Sequence, residues 1–103
     1  MRKVYSLLSL CKKAGKLACG EFQAEQAVKG GKAYLILYSS DAGETTKKKF
    51  RNAAVFRGVC CLEAGDKADY GRAVGKEEIS VLAVLDQGFA EKLQKLVQET
   101  QTV

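Results

Sequence analysis

Residues Gly15 to Tyr38 read "GKLACGEFQAEQAVKGGKAYLILY", and the hydrophobic pattern changes character twice within them. Leu17 to Cys19 is a short apolar run between glycines, which suits a brief strand. From Gly20 to Lys29 the residues Phe22, Ala24, Ala27 and Val28 suit a helix, and Gly30 and Gly31 end it. "AYLILY", Ala33 to Tyr38, then reads as a buried strand. A strand, a helix of about ten residues and a second strand in immediate succession form the repeating unit of a layered α/β fold.

The flanking sequence continues that alternation. Upstream, Val4, Leu7, Leu8 and Cys11 fall at i, i+3, i+4 and i+7 of an amphipathic helix that stops at Gly15. Downstream, Ser40 and Asp41 precede Glu44 as an N-cap and capping box would, predicting a helix from about Gly43 to Phe56 ended by Gly58. "VCCLE", Val59 to Glu63, is a third central strand; Asp66 to Val74 is a short helix; "ISVLAVL", Ile79 to Leu85, is the longest strand. Phe89, Leu93, Leu96 and Val97 place one apolar face on a last helix, with fraying expected over residues 99–103. The prediction is a single domain over residues 1–103. Its architecture is a three-layer α/β/α sandwich, with crossover connections and a central sheet of about four strands covered on both faces.

Composition removes several classes of function. A chain of 103 residues builds one core and not two. With 47% hydrophobic and 28% charged residues it has the balance of a folded, water-exposed domain. No apolar run exceeds a strand's length, against the roughly 20 residues of a membrane span. The N-terminus looks like the start of a signal peptide, but Lys12 and Lys13 interrupt it and its apolar spacing is helical. The chain is therefore expected to begin near Met1 and to reside in the cytoplasm.

There is no histidine, and the four cysteines, Cys11, Cys19, Cys60 and Cys61, contain no C-x-x-C pair. Neither a zinc site nor a thiol–histidine pair can be assembled from them. Cys60 and Cys61, adjacent in a strand, point to opposite faces and are badly placed to bridge. Reduced, mostly buried thiols are expected, with no metal and no cofactor. The carboxylate pairs Glu77–Glu78 and Asp66–Asp69 sit where solvation and capping account for them, so no catalytic residue is assigned. Gly31-Lys32 and Gly75-Lys76 lack the earlier glycine and the following Ser or Thr of a nucleotide loop, which argues against an ATPase or GTPase.

Charge is distributed unevenly. Met1 to Lys32 hold seven cations against Glu21 and Glu25, which gives that segment +5; the ten cations and ten anions beyond it cancel. A cationic surface on an otherwise neutral domain favours a phosphate-rich partner, because neutralising phosphates releases counterions. The alternative is a solvated lysine-rich helix face. Gly20 followed by Glu21, Phe22 and Gln23 puts backbone N–H groups at the positive end of a helix dipole, with Lys12, Lys13, Lys16, Lys29 and Lys32 nearby in sequence. Such a helix end accepts a phosphate backbone while Glu21 and Gln23 address base edges. Alternatively, Gly20 and Glu21 do no more than start a helix.

Two stretches carry a resemblance: "LLSLCKKAGKLACGEFQAEQAVKGGKAYLILYSSDAGETTKKKF", then "GRAVGKEEISVLAVLDQGFAEKL". In their order and spacing they resemble the kink-turn RNA-binding ribosomal protein superfamily of L-seven-Ae and L-thirty-e, above all its small bacterial YlxQ-type branch. The resemblance implies a structured-RNA partner. In the archaeal branch a G-x-N-E-x-x-K signature opens the second helix and reads the sheared G·A pairs of a kink-turn. Here Gly20 fits the glycine, while Phe22, Gln23 and Gln26 stand at the asparagine, glutamate and lysine. Gln23 still offers a donor and an acceptor, Gln26 brings no charge, Phe22 is a candidate for the core, and Lys16, Lys29 and Lys32 supply the electrostatics.

The resemblance implies a second contact in the loop before the last strand. There Ala73, Val74 and Gly75 would meet an extruded nucleotide, flanked by Arg72 and Lys76 for phosphates, with Glu77 and Glu78 bounding the footprint. The expectation is a monomeric, non-enzymatic protein of the cytoplasm that binds structured, kink-turn-like RNA, ribosomal RNA foremost, with neither DNA nor membrane as partner. The rivals are a protein-interaction module on the same fold and, less favoured, a small-molecule enzyme.

Overall fold

The computed structural model describes residues 1–101. Helix α1 (Arg2–Lys13) buries Val4, Leu8 and Cys11 along one stripe. There follow β1 (Leu17–Cys19), α2 (Glu21–Lys29), β2 (Leu35–Tyr38), α3 (Glu44–Arg57), β3 (Cys60–Glu63), α4 (Lys67–Val74), β4 (Val81–Val84) and α5 (Gln87–Gln101). Residues 99–101 are thus helical, and the rest of the expected frayed end, residues 102 and 103, lies outside the described residues. No helix among them is long and apolar enough to cross a membrane.

The sheet has the order β1-β4-β2-β3. β2 and β3 are parallel, whereas β4 is antiparallel to both of its neighbours, with Val84 opposite Leu17 on one side and Leu35 on the other. Side chains alternate across the sheet with period two. Leu17, Cys19, Leu35, Leu37, Leu82 and Val84 face a layer made of α1, α4 and α5. Ala18, Ile36, Tyr38, Val81 and Ala83 face the layer of α2 and α3. Both faces are covered, so β2 and β4 are buried at every residue. Each large aliphatic side chain buried there contributes about 1.5–3 kcal/mol. This is the α/β/α sandwich expected from the sequence.

Four details differ from expectation. β3 is an edge strand, only partly buried, and not a central one. β4 spans four residues, no more than β2 or β3, and it runs against them. β1 and β2 point the same way and are joined by the α2 crossover, but they leave a gap one strand wide that β4 enters from the opposite direction. The capping box before α3 is also absent: Gly43 is the N-cap and no side chain caps it. Asp41 instead accepts the Lys67 backbone N–H at 3.0 Å, helping Asp66 to cap α4. The buried Lys47 ammonium donates to the Ser40 carbonyl at 2.8 Å and to Glu63 at 3.3 Å. These contacts brace the loops at one end of the sheet against one another.

The cysteines are free, with Cys60 and Cys61 on opposite faces. Burial pushes all four thiols up, Cys11 and Cys61 to about 11, so none is a ready nucleophile near neutrality.

Candidate nucleic-acid interface

Because β1, β2 and β3 share a direction that β4 opposes, their C-terminal ends and the start of β4 meet at one end of the sheet. The N-termini of α2, α3 and α4 gather there with the segment Gly75 to Ser80 that leads into β4. Backbone bonds knit them together. Gly20 N–H donates to Val81 C=O at 2.9 Å, Ser39 N–H to Ser80 C=O at 2.8 Å, and Ser40 N–H to Gly65 C=O at 2.8 Å. Gly20 has φ +95° and ψ 161°, a combination essentially restricted to glycine. Nothing lies within 4 Å of where its Cβ would stand. The N-terminus of α2 therefore carries bare backbone and no side-chain cap, with its first N–H groups lacking helical partners.

The side chains around Gly20 divide into committed and open ones. The Glu21 carboxylate is drawn sideways to α3, where Thr46 and Lys49 reach it at 3.3 and 3.4 Å. Gln23 turns its Oε1 back to accept the Cys19 N–H at 3.3 Å, leaving only its amide donors for a ligand. Phe22, a core candidate by sequence, is 71% exposed. It lies opposite the buried stripe Ala24, Ala27, Val28, on the exposed stripe that Gln26 and Lys29 continue.

On the other side of the interface, α1 and α4 lie side by side, with Tyr5 edge-on to Tyr70 and Ser9 Oγ donating to the Ala73 carbonyl at 2.6 Å. The segment after α4 folds back over Gly71. A Cβ on Gly71 would stand 2.6 Å from the Glu77 carbonyl carbon and 2.9 Å from the Lys76 oxygen. The Lys76 N–H also donates to the Gly71 carbonyl at 2.8 Å.

Of the apolar contact expected of Ala73 and Val74, only half-buried Ala73 reaches the surface. Val74 is 7% exposed, and Ala73 packs against the same core, because the apolar side of α4 is spent on α1 and the sheet. Gly75 and Lys76 are exposed. Arg72 is paired with Asp69. Burial raises the Cys19 thiol, while the charges of Lys12 and Lys76 oppose that rise, so both charges bear on the residue that precedes Gly20. Lys12 is one of the cations that the sequence places near Gly20, but it was not singled out as a contact residue as Lys16, Lys29 and Lys32 were. Its signal was available in its position one residue after Cys11, on the exposed side of α1.

Lys16, Lys29 and Lys32 stand elsewhere. The Lys16 carbonyl accepts from Leu85 beyond the end of β4, and Lys32 N–H donates to Ala27 beyond the end of α2. From Gly20 the chain covers about 13 Å along the nine residues of α2 before it reaches Lys29. These three lysines therefore occupy the end of the sheet opposite Gly20. Among the described residues there is no group of three or more His, Cys, Asp or Glu that could hold a metal ion.

Residues 2–94 match the model of the ribosomal protein L7Ae/L30e/S12e/Gadd45 family. The chain belongs to that family. It is 32% identical over 97 residues to the RNA-binding protein YlxQ of Enterococcus faecium, covering 94% of this chain and 93% of that protein. It is 36% identical over 93 residues to the RNA-binding protein YlxQ of Bacillus subtilis, covering 90% and 93%. A solved structure of a Bacillus halodurans protein of unknown function superposes with a TM-score of 0.89 at 40% identity, covering 93% of this chain and 97% of that one. This chain has a glycine at the start of α2 and an exposed aromatic two residues beyond it.

Proposed function

We propose that this L7Ae/L30e/S12e/Gadd45-family protein is a non-catalytic, cytoplasmic binder of bent, kink-turn-like RNA, with ribosomal RNA its foremost target. One observation carries the reading: bare backbone at Gly20 is pinned to the start of β4, with Phe22 exposed two residues along α2 and Lys76 in the exposed segment that leads into β4. Free N–H groups at the positive end of α2 receive a phosphate. Lys12 and Lys76 neutralise its neighbours. Phe22 offers a ring on which an unstacked base can lie, and only a bent or looped RNA brings such a base and flanking phosphates to one compact surface. Gln26 and the Gln23 amide donors extend the polar rim. The two YlxQ relatives, named as RNA-binding proteins, support the choice of ligand.

The test is a pair of titrations, one with a kink-turn and one with a mismatch-free hairpin of equal length. Phe22→Ala is expected to weaken kink-turn binding at least about fivefold, since base stacking on an aromatic is worth about 1–3 kcal/mol, and to leave the hairpin nearly unchanged. Equal losses on both RNAs would mean that Phe22 does not read shape, unchanged affinity would make it a bystander, and no binding to either RNA would leave an interaction module as the better description.

The salt dependence separates the two ends of the sheet. Lys12→Ala and Lys76→Ala are each expected to flatten the slope of log K against log salt by about 0.7–0.9 on a blunt kink-turn. Lys16→Ala, at the far end, is expected to leave that slope alone. The reverse ranking would relocate the site.

A further inference from the structure

We infer that the far end of the α2/α3 layer is a second RNA contact, built to take an unpaired strand leaving the folded RNA. The inference rests on the RNA-binding reading above. α2 and α3 lie side by side and parallel, tied by Thr46 and Lys49 to Glu21, by Lys49 to Glu25, and by the Arg57 guanidinium to the Lys29 carbonyl at 2.9 Å. Their outer surface thus runs unbroken from Phe22 at the first site to Phe56 at the other end.

At that end Val55 and Phe56 are 84% and 83% exposed, adjacent apolar residues of a size that a solvated helix has no reason to present together. Arg57 stacks over the Phe56 ring at 5.5 Å. Phe56 and Arg57 border a shallow depression with Lys29 and Asn52, and no carboxylate lines it.

The charges there are only partly compensated. Arg57 spends one donor on a backbone carbonyl, and among the described residues neither it nor Lys32 pairs with a carboxylate. Lys29 shares Glu25 with Lys49. An exposed aromatic ring under a guanidinium, with Lys29 and a neutral amide lining the same depression, matches single-stranded nucleic acid: bases stack, phosphates pair, and no base identity is demanded. An acidic peptide would satisfy the cations but offers nothing flat for Phe56. The span of α2 lets a strand that leaves the Gly20 end follow the layer to this point.

Anisotropy titrations with two RNAs test this: a blunt kink-turn stem, and the same stem carrying an unpaired tail of about ten nucleotides, within the span of single-strand sites. The wild-type chain is expected to bind the tailed RNA at least about fivefold tighter. Phe56→Ala should abolish that gain without changing blunt-stem affinity, and its exposure makes loss of folding no explanation. Lys32→Ala with Arg57→Ala should lower the salt slope by about 1.4 on the tailed RNA only. A tail that adds nothing, or a gain indifferent to Phe56→Ala, would overturn the inference while the kink-turn reading stands on its own titrations. A Phe56-dependent self-association in ultracentrifugation, with no effect on RNA, would overturn it in favour of a protein interface. Tail binding that depends on Phe56 in the absence of any kink-turn affinity would support this site and sink the first.

Discussion

Gly71→Ala is expected to lower stability by roughly 3 kcal/mol, at the upper end of overpacking costs. In thermal unfolding that is a fall of roughly 15 °C for a domain of this size. The sign is the informative part. Alanine inside a helix ordinarily gains about 0.5–1 kcal/mol over glycine. Here the new methyl meets the backbone of Lys76 and Glu77, which cannot swing aside as a side-chain tip would. Relief requires lifting residues 76–78 off α4, breaking the Lys76 to Gly71 bond and shifting Lys76 away from Gly20. Kink-turn affinity is therefore expected to fall along with the melting temperature. A stabilised variant would show that the segment yields freely.

Gly20→Val is expected to act twice. Any residue with a Cβ is strained at φ +95°, ψ 161° by about 1–3 kcal/mol. The side chain also projects into open space over the helix end, where a phosphate backbone would approach. At a temperature where circular dichroism shows the variant folded, kink-turn affinity should drop about tenfold or more, corresponding to at least about 1.4 kcal/mol, with a smaller loss on the mismatch-free hairpin. Retained affinity with reduced stability would mean that RNA never approaches Gly20.

The element order and the layering were readable because period-two and helical patterns are local. "LAC" between glycines, the α2 stripe Ala24, Ala27, Val28 and the buried "LILY" each announce themselves within a few residues. Strand direction is not local. A strand after a helix suggests a parallel crossover, and β4 became antiparallel because the one open slot, between β1 and β2, could be entered from α4 only that way. The same limit governed the site. Lys16, Lys29 and Lys32 flank Gly20 in sequence, but a strand and a helix both lead away from it, so proximity along the chain became separation in space. Phe22 was legible in principle: it falls in turn with Gln26 and Lys29, not with Ala24 and Val28. Val74 was not, since its burial depends on α1 and the sheet packing against α4.

The placement of β4 has a bearing on when the protein becomes competent. Among the described residues β1 pairs only with β4, more than sixty residues away along the chain, and the bond that fixes Gly20 ends on Val81. Such distant pairings form late, after the entropy of closing a long loop has been met. During synthesis, therefore, α2 and β2 can settle against α3 while the first strand still waits at the rim. The Gly20 surface takes its shape only when the last strand slides in beside it, so a half-made chain carries the lysines but not the interface, and recognition of shape switches on with completion of the sheet.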